Sequence, residues 1–264
     1  MADSRDSDAS NSFDITKYGR EHLVPIIVVL AIVLVTIYSL VTRHTIHLYQ
    51  VIMFAVLIPS IILHEISHGL MAFIFGDDTA KRAGRLTLNP LKHIDPIGSI
   101  VLPIILTISG AGYFGWAKPV PVNISKLRRP RNQSVLVGLI GPFTNIVIAS
   151  VMAVLFWVYA SPLLIAQMKF AQGNMLPASI FLQFVYLAGF VNVALAIFNL
   201  IPIPPLDGSA IVERLLPAKW LPQYYRIRSF MIVAVLVMAV AGRSILGRIF
   251  LDGLKLWIGF IPNK

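Results

Sequence analysis

Long apolar segments are the feature of this sequence that most restricts its fold. A transmembrane α-helix needs roughly 20 consecutive apolar residues. Segments of about that length occur at 22–42, 49–75, 97–114, 134–160, 178–201 and 228–250, and a more amphipathic stretch follows at 251–262. Hydrophobic residues make up 57% of the chain and charged residues 13%, which lies outside the usage of soluble domains. We therefore predict an all-α polytopic membrane protein of about six transmembrane helices, with one membrane-embedded domain over 22–264.

Residues 1–21 differ from the rest because they are polar and carry both signs of charge. They lack the basic start and the small-residue cleavage site of a secretory signal peptide. We expect a flexible cytoplasmic tail here, followed by a first span that is retained in the protein.

The basic residues lie mainly in three loops, 76–96, 115–133 and 202–228, whereas 43–48 and 161–177 hold one each. The positive-inside rule places the three basic loops in the cytoplasm. Segment 97–114 lies between two of these loops and contains Pro103, Gly110 and Gly112. It therefore either enters the membrane and returns, or crosses it against the charge rule.

A metal-binding pattern, His64-Glu65-Ile66-Ser67-His68, lies inside segment 49–75. On a helix, two histidines four residues apart share one face and can ligate one metal ion, with Glu65 beside them as a general base. Ionisable groups are costly at membrane depth and usually mark function. The alternative is a set of polar residues that hydrogen-bond within a helix bundle, which explains their burial but not their spacing.

A catalytic zinc site needs a third protein ligand. The chain has no cysteine, so the candidates are His93, Asp95 and Asp207. Asp207 follows a proline-rich stretch after segment 178–201, where the backbone cannot stay helical. The predicted topology brings Asp207 to the depth of the histidines. Alternatively, Asp207 caps a helix from Gly208 to about Leu216.

Three motifs in this order resemble those of one known family. His64-Glu65-x-x-His68, Gly141-Pro142-x-x-Asn145 and Asn199-x-x-Pro202-x-Pro204-Pro205-Leu206-Asp207-Gly208 are similar to the motifs of the site-2 protease family of intramembrane zinc metalloproteases. The stretches 89–96 and 115–120 resemble its compact bacterial branch, which lacks PDZ and CBS domains.

The resemblance implies a multi-pass enzyme of the bacterial inner membrane that cuts peptide bonds within or near transmembrane segments. The charge rule places its active site toward the cytoplasm, because helix 49–75 then runs from outside to inside. It implies that His64, His68 and Asp207 bind Zn²⁺ and that Glu65 is the general base. Asn145 would contact the substrate or the developing oxyanion; otherwise it packs helices together. Structural roles are expected for Ser67, His93 and Asp95.

The implied partners are membrane-spanning protein substrates and the lipid bilayer. Nucleic acid is not expected, since no basic stretch carries interleaved aromatic residues. Arg85–Leu88 alternates like a strand and 117–122 is extended by its prolines, so these segments are candidates for pairing with an unwound substrate. The sequence selects neither a particular substrate nor an oligomeric state.

Two other functions compete with proteolysis. A divalent-metal transporter needs polar residues on several spans, whereas 22–42, 134–160 and 228–241 have almost none. A non-catalytic membrane scaffold usually lacks a metal ligand or the base, and here all of them are present.

Overall fold

The computed structural model describes residues 48–95, 98, 101, 117–172, 175–227, 231 and 243–263. These residues belong to one compact unit, His47–Lys264. The predicted tail 1–21, segment 22–42 and most of 97–114 and 228–250 lie outside the described residues.

The described part of the chain is built from helices. Its α-helices are α1 (Leu48–Ile74), α2 (Thr79–Arg82), α3 (Pro130–Tyr159), α4 (Pro162–Ala171), α5 (Ile180–Leu200), α6 (Ser209–Leu215) and α7 (Arg243–Phe260). Short 3₁₀ turns occur at Pro90–Lys92, Ile124–Lys126 and Ala218–Trp220, and residues 221–227 are also helical.

Three of these helices are long and apolar enough to cross a membrane. They are Val51–Ile74 in α1, Pro130–Tyr159 and Ile180–Leu200, which agree closely with the predicted segments 49–75, 134–160 and 178–201. A multi-pass membrane protein is therefore supported. The predicted total of six spans is not confirmed, because three of the six segments fall wholly or mostly outside the described residues.

The helices α1, α3 and α5 pack against one another, and α7 packs against α5. The backbone N–H of Arg128 donates to the carbonyl of Phe75 at 3.1 Å, so α3 begins beside the end of α1 and runs antiparallel to it. A Cβ on Gly189 would lie 2.0 Å from the Trp257 ring. Glycine at this position lets α7 approach α5 closely, and Trp257 Nε1 also donates to the Ala149 carbonyl at 2.8 Å.

Polar and apolar residues are distributed as expected for a bundle in lipid. The polar side chains of Ser60, His64, Asn145 and Asn192 are buried between the three long helices. Large apolar side chains face outward instead, among them Phe54, Ile58, Phe143, Val151, Val154 and Phe181. A soluble bundle would have the opposite arrangement.

Residues from two of the basic segments meet at one end of the bundle. The Arg131 side chain donates to the carbonyls of Arg214 and Leu216, at 3.2 and 2.7 Å. Arg214 Nε in turn donates to Asn132 Oδ1 at 2.8 Å. The third basic segment begins at the same end, because it follows α1. The structure thus groups the segments that the charge rule assigns to one side.

The strand-like segments predicted at Arg85–Leu88 and 117–122 are not confirmed, since no described residue is assigned to a strand. Residues 117–123 form neither a helix nor a strand, and a side chain holds them to Arg85–Leu88. Arg85 donates through Nη2 to the carbonyls of Lys118 and Pro119, at 2.6 and 3.3 Å. A regular ladder is disfavoured because Pro119 and Pro121 have no N–H to donate.

Candidate metal centre

The metal-binding pattern lies on α1, where the helix packs against α3. His64 and His68 are one turn apart, so their rings meet edge to face with centroids 4.7 Å apart. The Ser67 hydroxyl donates back to the His64 carbonyl at 2.6 Å. Ser67 therefore serves the helix itself, as expected from the sequence.

Two glycines of α3 make room for the centre. A Cβ on Gly141 would lie 2.4 Å from His68 Nε2 and 2.6 Å from His64 Nε2. A Cβ on Gly138 would lie 2.8 Å from the Ala210 Cβ and 3.2 Å from the Asp207 carbonyl oxygen. The absent side chains thus allow both histidines and the Asp207 segment to reach the surface of α3.

The proline-rich stretch after α5 brings Asp207 to the histidines. It turns back on itself, and the Gly208 N–H donates to the Asn199 carbonyl at 2.7 Å. A Cβ on Gly208 would lie 2.2 Å from the Leu200 carbonyl oxygen, so only glycine fits this turn. Helix α6 begins at Ser209 with Gly208 as its N-cap and no side-chain cap bond. The alternative role of Asp207 as a helix cap is therefore wrong, because its carboxylate faces the histidines.

Among the described residues, one group of three side chains could hold a metal ion, namely His64, His68 and Asp207. Asp207 Oδ2 lies 3.0 Å from His64 Nε2 and 3.4 Å from His68 Nε2. The two Nε2 atoms are 3.1 Å apart. The His64 side chain is 7% exposed and that of His68 is 11% exposed, so protein surrounds most of the centre.

The other ring nitrogen of each histidine is already engaged. His68 Nδ1 lies 2.5 Å from the carbonyl oxygen of Val137, which can only accept, so this nitrogen carries the proton. His64 Nδ1 lies 2.6 Å from Asn145 Oδ1, which likewise accepts. Both Nε2 atoms therefore point lone pairs at each other and at a carboxylate oxygen.

This donor set fits zinc. Three electron-rich atoms at such separations repel one another unless a metal cation or a shared proton lies between them. Tetrahedral zinc with bonds of about 2.0–2.1 Å places its ligand atoms about 3.3 Å apart, close to the three separations in the structure. Of the three candidates for a third ligand, only Asp207 approaches the histidines.

Glu65 faces a different neighbour, the connecting residues 117–123. Its Oε2 accepts the backbone N–H of Val120 at 2.8 Å. This segment is also fixed at its ends, where Lys118 N–H donates to the His93 carbonyl at 2.8 Å and Asn123 N–H donates to Asp77 Oδ2 at 2.6 Å. The carboxylate therefore has one held oxygen, and Val120 is its only hydrogen-bond partner among the described residues.

His93 and Asp95 lie in the connecting segment after α2 and have structural partners. His93 is 2% exposed and donates through Nε2 to the Thr87 carbonyl at 2.8 Å. Asp95 Oδ1 accepts the Gly98 N–H at 2.7 Å. Both contacts agree with the structural roles expected for these residues.

Asn145 lies beside His64, as expected, but it is fully buried. Its Oδ1 accepts from His64, and its Nδ2 donates to Asn192 Oδ1 at 2.8 Å. Since both polar atoms of the amide bind protein, this arrangement orients a histidine. Contact with a substrate would require Asn145 to give up one of these bonds.

The contacts of four residues of this site were not expected from the sequence: Ser60, Arg85, Val120 and Asn192. Ser60 and Asn192 do carry a signal, because each is a polar residue inside an apolar span. Arg85 and Val120 lie in segments that the sequence marks as candidates for substrate pairing, but no pattern shows their own contacts, since these join segments that are far apart in the chain.

Comparison with known proteins identifies relatives of the chain. A family model described as peptidase family M50 matches residues 52–241. "Putative zinc metalloprotease YwhC" of Bacillus subtilis (strain 168) is 40% identical over 187 residues, which cover 70% of this chain and 78% of the relative. "Putative zinc metalloprotease Rip2" of Mycolicibacterium smegmatis is 34% identical over 155 residues, 58% of this chain and about half (53%) of the relative. No solved structure shows a significant match.

Proposed function

Because the chain belongs to peptidase family M50, we propose that it is an intramembrane zinc metalloprotease that hydrolyses peptide bonds within or near the transmembrane segments of membrane proteins. One observation carries this proposal most directly. His64, His68 and Asp207 converge between apolar helices, and Glu65 lies next to the first ligand on the same helix. The names of the two relatives, each "Putative zinc metalloprotease", support the same activity.

The roles of the side chains follow from their positions. Zinc held by His64, His68 and Asp207 would supply Lewis-acid chemistry, which acidifies water and polarises a peptide carbonyl. Glu65 would take the proton from the attacking water and pass it to the departing amine. The Val120 N–H keeps one carboxylate oxygen of Glu65 in place, which leaves the other oxygen available for the proton.

A substrate helix must unwind before it can be cut, because its carbonyls are hydrogen-bonded within the helix. Residues 117–122 lie beside Glu65, a position from which their backbone can pair with an unwound chain. We propose that they do so together with Arg85–Leu88. Proline at Leu86 or Thr87 should then impair cleavage and leave zinc content intact, whereas unchanged cleavage would contradict this pairing.

The orientation in the membrane follows from the charges. The basic segments that meet at one end of the bundle favour a cytoplasmic position for that end. Asp207 follows α5 at this same end, so the active site would open toward the cytoplasm. We propose the bacterial cell membrane as the location and membrane-anchored regulatory proteins or signal-peptide remnants as substrates.

Cleavage of a model transmembrane substrate by the zinc-loaded protein in proteoliposomes tests this function. The Glu65→Gln variant keeps an oxygen that can accept the Val120 N–H, so its fold and zinc content should persist. Its turnover should fall by about 10²–10⁴-fold, the usual contribution of general acid–base catalysis. Persistent cleavage in this variant would refute the assigned base. The same trapped variant, purified from cells, should retain uncut substrates for identification.

A further inference from the structure

A chain of buried amides extends from His64 away from the metal centre. We propose that Asn192, supported by Ser60, is a positioning residue that fixes the tautomer and orientation of His64 through Asn145. This inference rests on the proposed function, because it concerns how a zinc ligand is prepared for its metal.

The chain consists of four successive hydrogen-bonding residues from three helices. His64 Nδ1 lies 2.6 Å from Asn145 Oδ1, and Asn145 Nδ2 lies 2.8 Å from Asn192 Oδ1. Asn192 Nδ2 lies 2.9 Å from both the Ser60 hydroxyl oxygen and the Ala188 carbonyl oxygen. Asn145 and Asn192 are fully buried and Ser60 is 4% exposed, so water does not compete for these bonds.

The Ala188 carbonyl at the end of this chain of hydrogen bonds determines which residue donates in each bond. A backbone carbonyl oxygen only accepts, so the Asn192 atom beside Ala188 must be the NH₂ group. The Ser60 hydroxyl agrees, because it donates its single proton to the Val56 carbonyl at 2.8 Å and is left to accept from Asn192.

The donor and the acceptor of each remaining bond then follow, one bond after another. With its NH₂ group toward Ala188, Asn192 presents its oxygen to Asn145. Asn145 must then donate through its NH₂ group to Asn192, which leaves its oxygen to accept from His64. His64 therefore carries its proton on Nδ1 and keeps the lone pair of Nε2 for the metal. Reversing either amide would place two acceptors or two donors together in a dry interior.

The two ligand histidines are thus prepared by different means. His68 is oriented directly by a backbone carbonyl, that of Val137. His64 is oriented by a backbone carbonyl as well, that of Ala188, but through two side-chain amides. Only the His64 arrangement can be altered by side-chain substitution at a distance, and this makes the proposal testable.

The test measures zinc affinity by competition with a chelator, in the full-length protein in detergent. Asn192→Leu preserves volume and removes the amide, so Asn145 loses the partner that holds it. Changes to residues behind a metal ligand typically reduce metal affinity by about 10–100-fold, and we expect a loss in that range. Asn192→Ala, which introduces no bulk, should show the same loss. Ser60→Ala should show a smaller one because the Ala188 carbonyl still binds Asn192.

A control variant separates positioning from general destabilisation. Val185 is 1% exposed in the apolar core of the same helix, and its side chain has no polar atom. Val185→Ala should lower the melting temperature and leave zinc affinity unchanged. Nitrogen-15 histidine spectra of the metal-free protein add a direct readout: the signal absent from His64→Gln should report an Nδ1–H tautomer in the wild type and a mixture in Asn192→Leu.

Each outcome has a definite meaning. Lowered zinc affinity and a mixed His64 tautomer in both Asn192 variants, with Val185→Ala unchanged, would support the proposal. Unchanged affinity in both variants would overturn it while leaving the protease assignment intact. An equal loss in Val185→Ala would also overturn it, since affinity would then follow stability alone. A wild type that binds no zinc would overturn the proposed function itself.

Discussion

The two sides of α1 that form the active site are held in different ways. On one side, His64 and His68 pack against α3 and are oriented by buried partners, Asn145 and the Val137 carbonyl. On the other side, Glu65 contacts residues 117–123, which form neither a helix nor a strand. The ligands are thus fixed by helix packing, and the base is fixed by a connecting segment.

The difference shows how one site can be rigid and accessible at once. Packed helices change position only at a high free-energy cost, because many buried contacts must be lost together. A segment held by a few hydrogen bonds is displaced at a lower cost. Displacement of residues 117–123 should therefore cost less free energy than displacement of the helices that carry the metal ligands.

The largest expected effect comes from a single methyl group added where the ligand histidines pack against α3. In Gly141→Ala the new Cβ would lie 2.4–2.6 Å from the histidine nitrogens, a distance that forces the ligands apart. We expect zinc affinity to fall by more than about 100-fold, beyond the 10–100-fold range of changes made behind a ligand. Zinc per protein, measured by atomic absorption, checks this expectation, and cleavage should fall to background.

Gly259→Ala is the matched control for Gly141→Ala. Gly259 also lies in a helix, but a Cβ there would meet no atom within 4 Å. This variant should bind zinc and cleave like the wild type. Full zinc binding in Gly141→Ala would show that the two histidines can move apart without loss of zinc affinity. The metal ligands would then not be held more rigidly than Glu65.

A smaller effect is expected on the side of α1 that carries Glu65, where Val120→Pro removes the N–H that holds this carboxylate. Val120 already precedes a proline, which favours the extended backbone that proline itself adopts. A hydrogen bond to a charged group contributes about 1.5–3 kcal/mol, so kcat should fall by roughly 10- to 100-fold. Zinc content should not change, because no metal ligand is touched.

Val120→Ala separates the lost N–H from the lost side chain. It keeps the donor to Glu65 and removes only the apolar contact, so its kcat should stay much nearer to the wild-type value. Equal losses in the two variants would mean that the side chain, and not the hydrogen bond, positions this segment. Loss of zinc in Val120→Pro would mean that the two sides of α1 are not independent.

The helices of the described part were largely predictable from the sequence. Apolar length and composition located α1, α3 and α5 to within four residues, because the bilayer fixes both properties. The same reasoning placed Asp207 at the depth of the histidines, which its bond to His64 confirms. The start of α6 was placed within one residue, but the sequence left a capping role open for Asp207, because ligand and capping roles favour the same residue types.

The parts that failed depend on contacts between distant segments. Strands were expected at Arg85–Leu88 from alternation alone, yet the hydrogen bonds of Arg85 to Lys118 and Pro119 decide that geometry. Asn145 lies beside His64, as expected, but both polar atoms of its amide also bind protein. Its second partner, Asn192, lies 47 positions away in sequence, so no local pattern could reveal the pairing.

The smallest effect is expected from Asp77, which holds residue 123 at the end of the segment that contacts Glu65. Asp77 is fully buried and accepts hydrogen bonds from Thr79 and from the Asn123 N–H. Burial alone raises the pKa of this carboxyl, but the bonds from Thr79 and Asn123 and the charge of Lys126 outweigh it and lower the pKa. In Asp77→Asn the NH₂ group would face a donor, so we expect a loss of about 2 kcal/mol, within the range for bonds to a charge.

The pH dependence of this loss has a definite sign. Since the folded pKa of Asp77 lies below the unfolded value of about 3.9, its ionised form stabilises the fold fully above that pH. The difference in melting temperature between wild type and Asp77→Asn should be constant from pH 7 to about 5 and shrink as the pH falls through the folded pKa. Asp78→Asn is the control, because Asp78 is an exposed partner of Arg82 and such pairs contribute little. A difference that grew toward acid pH would mean that Asp77 is protonated in the folded protein, and residues 117–123 would then need another anchor.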